Sequence, residues 1–241
     1  MKKIICKNYD ELSRVAAGIV ARQIWAKPET VLGLATGGTP LGMYANLSQM
    51  HATNDLDFSR VVSFNLDEYY PIAKENRQSY DFFMWDNLFS HINIHRDNVN
   101  IPDGSAADPD KECAAYDQKI AAAGGIDLQV LGIGVNGHIG FNEPDTALLM
   151  PTHRTALTDS TIEANARFFG SADDVPRHAL TMGMESIFNA KMILMLISGE
   201  NKAAVVKEMF SGKVSPQVPA SLLALHPNVM VVMDQGAAKL L

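Results

Sequence analysis

The run Met192-Ile193-Leu194-Met195-Leu196-Ile197 is apolar at every position, so a strand there has no face to give to water. Read as a strand from Lys191 to Ile197, it is apolar after its first residue, which requires a covering layer on both sides. Other strands are expected at Thr30–Ala35, Val61–Leu66, Asp127–Gly132 and Asn228–Met233, with a weak first one at Ile4-Ile5. Helical patterns lie between them. Asn8 can cap a helix with Glu11 three residues on, as in a capping box. Leu12, Val15, Ala16, Ile19 and Val20 then form a buried stripe, and Pro28 ends it. The turn Thr36-Gly37-Gly38-Thr39-Pro40 opens a second helix. Further helices are predicted over Ser79–Phe89, Pro109–Ala123, Asp159–Phe169 and Asn201–Phe210, and a short extended segment over Arg154–Thr158. This alternation predicts an α/β fold: a doubly wound, Rossmann-like, mainly parallel sheet with helices on both faces and right-handed crossovers.

No repeat, low-complexity tract or linker divides the 241 residues, so a single domain is expected. The stretch 144–180 is the richest in polar residues and prolines within the second half. It reads equally as a lid over a site or as a surface excursion. The net charge of −7, with no basic block, argues against a nucleic-acid partner. No run reaches the ~18 apolar residues of a membrane span, and Ile4-Ile5-Cys6 is too short for a signal peptide. A cytoplasmic location is expected. Cys6 and Cys113 make neither a disulfide framework nor a metal cluster.

In open α/β sheets, ligands bind beyond the carboxyl ends of the strands. Four polar clusters fall there. Thr36-Gly37-Gly38-Thr39 combines close backbone approach, a helix start and two hydroxyls, which suits a phosphate; a plain strand-to-helix turn has the same look. Asp67-Glu68-Tyr69 follows an apolar strand and offers either a general base or a helix cap. Asn136, His138 and Glu143 share a glycine-punctuated loop, which serves proton transfer or simply holds a structural histidine. A metal site there lacks a second imidazole or thiolate at ligand spacing. Arg167 and Lys202 are the cations, the latter at an expected helix start, where it opposes the helix dipole unless it faces an anion.

Taken together, these motifs resemble the glucosamine-6-phosphate deaminase family, in the wider group that includes 6-phosphogluconolactonase. The resemblance rests on Gly33 through Pro40, Phe64 through Tyr69, Leu131 through Pro144, Ala164 through Phe169 and the Lys202 segment, in order along essentially the whole chain. It implies a modified doubly wound fold and the conversion of glucosamine 6-phosphate and water to fructose 6-phosphate and ammonia, with no metal or organic cofactor. It implies Asp67 as the base that carries a proton from C2 to C1. His138 would open the sugar ring, supported by Asn136 and Glu143. Thr36, Gly37, Gly38, Thr39, Arg167 and Lys202 would hold the phosphate. Many members carry Asp at position 136; here the amide oxygen of Asn136 is expected to accept from the imidazole N–H, without charge. The lactonase differs in an Asp-Glu-Arg type run, where this chain has Asp67-Glu68-Tyr69. A sugar-phosphate sensor would need neither Asp67 nor His138. The chain stops at Leu241, short of longer relatives that include allosteric hexamers, so weak or absent allostery and a monomer or small homo-oligomer are expected.

Overall fold

A computed structural model describes the backbone of all 241 residues, and every side chain except those of Ser160, Ala164, Asn165, Arg167 and Phe168. The chain begins with β1 (Lys2–Cys6), α1 (Tyr9–Ala26), β2 (Val31–Leu34), α2 (Leu41–Ala52), β3 (Val62–Asn65), β4 (Asp67–Tyr70) and α3 (Tyr80–Asn87). It continues with β5 (Val99–Asn100), α4 (Pro109–Ala122), β6 (Leu128–Leu131), β7 (His153–Ala156), α5 (Asp159–Phe169) and β8 (His178–Thr181). It ends with α6 (Met184–Phe188), β9 (Met192–Ile197), α7 (Ala203–Met209) and β10 (Val229–Asp234).

Seven strands form a wholly parallel sheet in the order β1-β10-β9-β6-β2-β3-β5. Its central strands are buried along their whole length, β2 and β6 at every residue, which is what the apolar runs require. From β2 the chain winds outward through β3 to β5. It then returns to the other side of β2 and winds through β6 and β9. The direction therefore reverses between β2 and β6, and the loops after these two strands flank the crevice that this reversal opens.

Helix α1 buries Leu12, Ala16, Val20 and Ile24 against the sheet, as its periodicity predicts. Asn8 caps it by accepting from Glu11 N–H at 3.0 Å, whereas the Glu11 carboxylate accepts from Lys7 N–H, one residue outside the expected box. At the opposite end of the strands from the crevice, Asp127 accepts from Val31 N–H and from the ammonium groups of Lys27 and Lys191. Burial alone would raise its pKa, but these donors hold it at about 2. One carboxylate thus ties together the approaches to β2, β6 and β9.

A second sheet was not foreseen. Strands β4, β8 and β7 pair antiparallel, with Asp67 opposite Thr181 and His153 also opposite Thr181 from the other side. Within it, the predicted extended segment at Arg154–Thr158 becomes β7 at His153–Ala156. The run Asp67-Glu68-Tyr69, expected to follow the strand that ends at Leu66, is itself part of strand β4. β4 opens with Asp67 and Glu68, residue types depleted in strands, and pairing to the buried β8 makes it one. A satellite cluster of Tyr69, Ile72, Phe141, Leu157, Ile162, Val175 and Ala179 fixes this sheet and α5. Among the described residues, no helix is long and apolar enough to cross a membrane.

Candidate active site

A cavity of about 460 Å³ opens at the crevice between β2 and β6. Its walls carry Thr36–Thr39 from the loop after β2, Asp67 from β4, Asn136 and His138 from the loop after β6, and Lys202 from the turn before α7. These residues, scattered along the sequence, therefore share one hollow. Glu143 stands behind His138. Arg167 lies on α5, outside the residues whose side chains are described.

The loop after β2 turns at Gly37, whose φ of +102° lies in the region that favours glycine. Tyr9 of α1 braces it: the Tyr9 hydroxyl donates to Gly38 O at 3.0 Å and accepts from Gly42 N–H at 2.8 Å. Pro40 precedes α2, and no side chain caps that helix. A helix start of this kind is suited to a phosphate. From the facing wall, Lys202 Nζ donates to Ile133 O at 2.8 Å. An ammonium has three donors, so Lys202 keeps two for a ligand. Burial lowers its pKa, since desolvation disfavours the charged form.

Asp67 is only 7% exposed. Burial, with the charge of neighbouring Glu68, pushes its pKa up to about 8. The two carboxylates have different tasks because alternate residues of a strand point to opposite faces. Glu68 turns away and accepts from the N–H groups of Tyr69, Tyr80 and Asp81 at 2.8–2.9 Å, capping α3 beside Ser79. Burial raises the Glu68 pKa to about 7 against the pull of these three donors. By fixing the start of α3, Glu68 also sets Tyr80, which lines the cavity and packs its ring against Tyr69 and Phe141.

The histidine loop is shaped by two glycines in different ways. A Cβ on Gly134 would fall 2.3 Å from His138 Cε1 and 2.5 Å from each ring nitrogen, so the imidazole lies directly over the Gly134 backbone. Gly140 has φ +58°, and a Cβ there would meet Thr181 Oγ1 at 2.9 Å and Asp67 Oδ2 at 3.6 Å. Through Gly140 the histidine loop touches the strand pair that carries Asp67.

His138 Nδ1 lies 3.1 Å from Glu143 Oε2. Glu143 Oε2 also accepts from Asn136 Nδ2 at 2.6 Å, and Oε1 accepts from Thr161 Oγ1 at 2.6 Å. Burial would raise the pKa of Glu143, but His138, Thr161 and Asn136 bring it down to about 2. An ionised carboxylate beside Nδ1 requires a proton on that nitrogen, which leaves Nε2 of the neutral ring as the proton acceptor. Asn136 corrects the sequence-based expectation. Its amide oxygen accepts from the His138 backbone N–H at 3.3 Å, and the imidazole Nδ1 pairs instead with Glu143 Oε2. The loop carries the amide past the ring, so Asn136 acts on Glu143.

Gly134, Tyr80, Tyr9 and Thr161 were missed in the sequence. Only Gly134 left a trace, as one of the glycines in the run around His138. Among the described residues, no group of three or more His, Cys, Asp or Glu side chains is arranged to hold a metal.

Residues 8–232 match the family of glucosamine-6-phosphate isomerases and 6-phosphogluconolactonases. The chain belongs to this family. It is 55% identical over 241 residues to the glucosamine-6-phosphate deaminase of Thermoanaerobacter pseudethanolicus, covering all of this chain and 95% of that one. It is equally 55% identical to the glucosamine-6-phosphate deaminase of Clostridium perfringens over the full length of both. A solved structure of a monomeric glucosamine-6-phosphate deaminase superposes with a TM-score of 0.98, at 47% identity over both whole chains. The fold is also that of 6-phosphogluconolactonase from Trypanosoma cruzi, with a TM-score of 0.80, 20% identity, and 99% and 96% of the two chains covered. The expected fold class, a mainly parallel sheet with helices, and the expected family both hold.

Proposed function

We propose that this family member converts glucosamine 6-phosphate and water to fructose 6-phosphate and ammonia. One observation carries the assignment of roles: Asp67 and His138 open onto the same cavity, whose walls also hold the Thr36–Thr39 turn and Lys202. The identity to deaminases along the whole chain supports the choice of reaction.

The phosphate binds at Thr36, Gly37, Gly38 and Thr39, with Lys202 and Arg167 as the cations. A point charge and a guanidinium fork together suit a dianion. Anchoring this end of the sugar presents its other end to the reacting groups. His138 takes the O1 proton of the closed sugar and returns a proton to O5 as the C1–O5 bond breaks. Glu143 holds the ring of His138 and stabilises its charged form, and Asn136 holds Glu143. Asp67 then removes the C2 proton while a proton passes from the C2 ammonium group to O1, leaving an enolamine between C1 and C2. Returning the carbon-bound proton to C1 leaves a hydroxymethyl group at C1 and a protonated imine at C2. Water adds to the imine carbon, and ammonia leaves as the ketone forms. A base with a pKa near 8 is strong enough to take a carbon-bound proton and still gives it back. No step in this scheme calls for a redox or metal cofactor. A cytoplasmic, monomeric enzyme is part of the proposal, since one chain supplies every residue named and a monomeric relative has nearly the same fold.

The decisive assay measures ammonia release from glucosamine 6-phosphate alongside hydrolysis of 6-phosphogluconolactone. Ammonia release, with solvent deuterium entering the sugar, supports the proposal. Lactone hydrolysis without ammonia release sinks it, and so does binding of the phosphosugar without either reaction.

A further inference from the structure

We propose that Thr161 is a positioning residue for the His138–Glu143 pair, fastening the imidazole to helix α5 through the far oxygen of Glu143. This rests on the functional reading above and extends it to a residue on a different element.

The geometry around Glu143 divides its two oxygens. Oε2 faces His138 Nδ1 and accepts from Asn136, both on the loop after β6. Oε1 accepts from Thr161 Oγ1 on α5. A carboxylate gripped on one oxygen can swing about its Cγ–Cδ bond; gripped on both, it presents a fixed plane to the imidazole. Thr161 is itself fixed, since its Oγ1 accepts from Thr158 Oγ1 at 3.0 Å. The adjacent Ile162 packs in the satellite cluster with Phe141, two residues before Glu143.

Thr161 holds the third helical position of α5, where a residue often helps to cap a helix start. Here Thr158 is the N-cap, and its hydroxyl accepts from Thr161 N–H at 3.3 Å. The Thr161 hydroxyl spends its hydrogen on Glu143, away from the cap. Its β-branched shape belongs to the helix, but its O–H belongs to the site, and Thr161 lines the cavity beside His138. The same helix carries Arg167, assigned above to the phosphate. One helix therefore carries both the residue proposed as phosphate cation and the brace of the proton-transfer pair.

The test compares wild type, Thr161→Val and Thr161→Ser. Valine keeps the branched shape and removes the donor; serine keeps the donor. Thr161→Val is expected to lower kcat on the order of 10-fold, with KM and inhibition by inorganic phosphate within about twofold. Thr161→Ser should restore most of the loss. In histidine-selective ¹H–¹⁵N spectra, the His138 Nδ1–H signal should shift or split between tautomers in the valine variant alone. An unchanged kcat with an unchanged imidazole signal overturns the inference. So does a serine variant as impaired as the valine one, because the loss would then follow from shape. A wild-type protein that releases no ammonia defeats the functional reading instead, and the imidazole spectra still decide whether Thr161 sets the ring.

Discussion

Replacing Asp67 with Asn removes the titratable carboxyl from the cavity wall with little change of shape, and the effect on folding can be worked out separately from the effect on rate. In the fold the carboxyl is 7% exposed, and its pKa is raised from 3.8 to about 8 by burial and by Glu68. The folded state therefore holds a proton that the unfolded state has already released at neutral pH. Because the native state binds more protons, stability falls as pH rises through the folded value. The favourable contribution is complete below pH 3.8 and is used up above about pH 8. Between pH 7 and pH 9 linkage gives a loss of about 1.4 kcal/mol for a group titrating near 8. For a chain of this length that lowers Tm by roughly 3–6 °C. Asn cannot titrate, so its variant should lack this component while keeping the contributions of Glu68 and every other group. Thermal melts of both proteins at pH 7 and pH 9 isolate the difference. The same variant should lose turnover by about 10²–10⁴-fold, and kcat/KM of the wild type should climb with pH through about 8 as the base is freed. If both proteins lose the same Tm between pH 7 and pH 9, burial does not hold the Asp67 proton, and the account of how the base is tuned fails. Near-normal turnover in the variant removes Asp67 from its role, whatever the melts show.

Three further substitutions probe the rest of the site. Gly134→Ala sets a methyl group where the imidazole lies, 2.3 Å from Cε1, so kcat should fall about 100-fold, with KM little changed; normal steady-state kinetics would show that the ring does not need that place. Asn136→Asp replaces the N–H donor 2.6 Å from Glu143 Oε2 with a second carboxylate, so the Glu143 pKa should rise from its low value near 2, read as the titration midpoint of its side-chain carboxyl carbon by NMR. A midpoint that stays in place would mean that residue 136 does not act on Glu143. Lys202→Ala should raise KM for the phosphosugar about 10-fold or more and weaken inhibition by inorganic phosphate equally; a preserved phosphate inhibition constant would take Lys202 out of the anion site.

What the sequence disclosed, and what it hid, follows from how far each contact reaches. The parallel sheet was legible because a strand covered on both faces has to be apolar throughout, and β9 is. The histidine loop was legible because its polar partners lie within a few residues of one another. Strand β4 was not, because two of its four residues are carboxylates recruited for other work, one for the cavity and one for the start of α3. Its strand character comes from pairing with β8, far along the chain. The error over Asn136 is of the same kind. Spacing shows that an amide is near the imidazole, but the backbone turn at Gly137, with φ +92°, decides which way it points.

The meeting of Asp67 with His138 depends on the same long-range pairing. The reversal of winding between β2 and β6 brings the Thr36–Thr39 turn and the histidine loop to one crevice, but it does not bring Asp67, because β3 already lies outside β2. Asp67 arrives because the chain leaves β3, passes Leu66 and starts a new strand opposite Thr181. Thr181 Oγ1 accepts from Phe141 N–H at 3.1 Å, and Gly140 lies against the same side chain. The antiparallel sheet is thus the device that sets a carboxylate from one half of the domain beside an imidazole loop from the other. A side chain at Gly140 would wedge the two apart while leaving the parallel sheet and the Thr36–Thr39 turn intact.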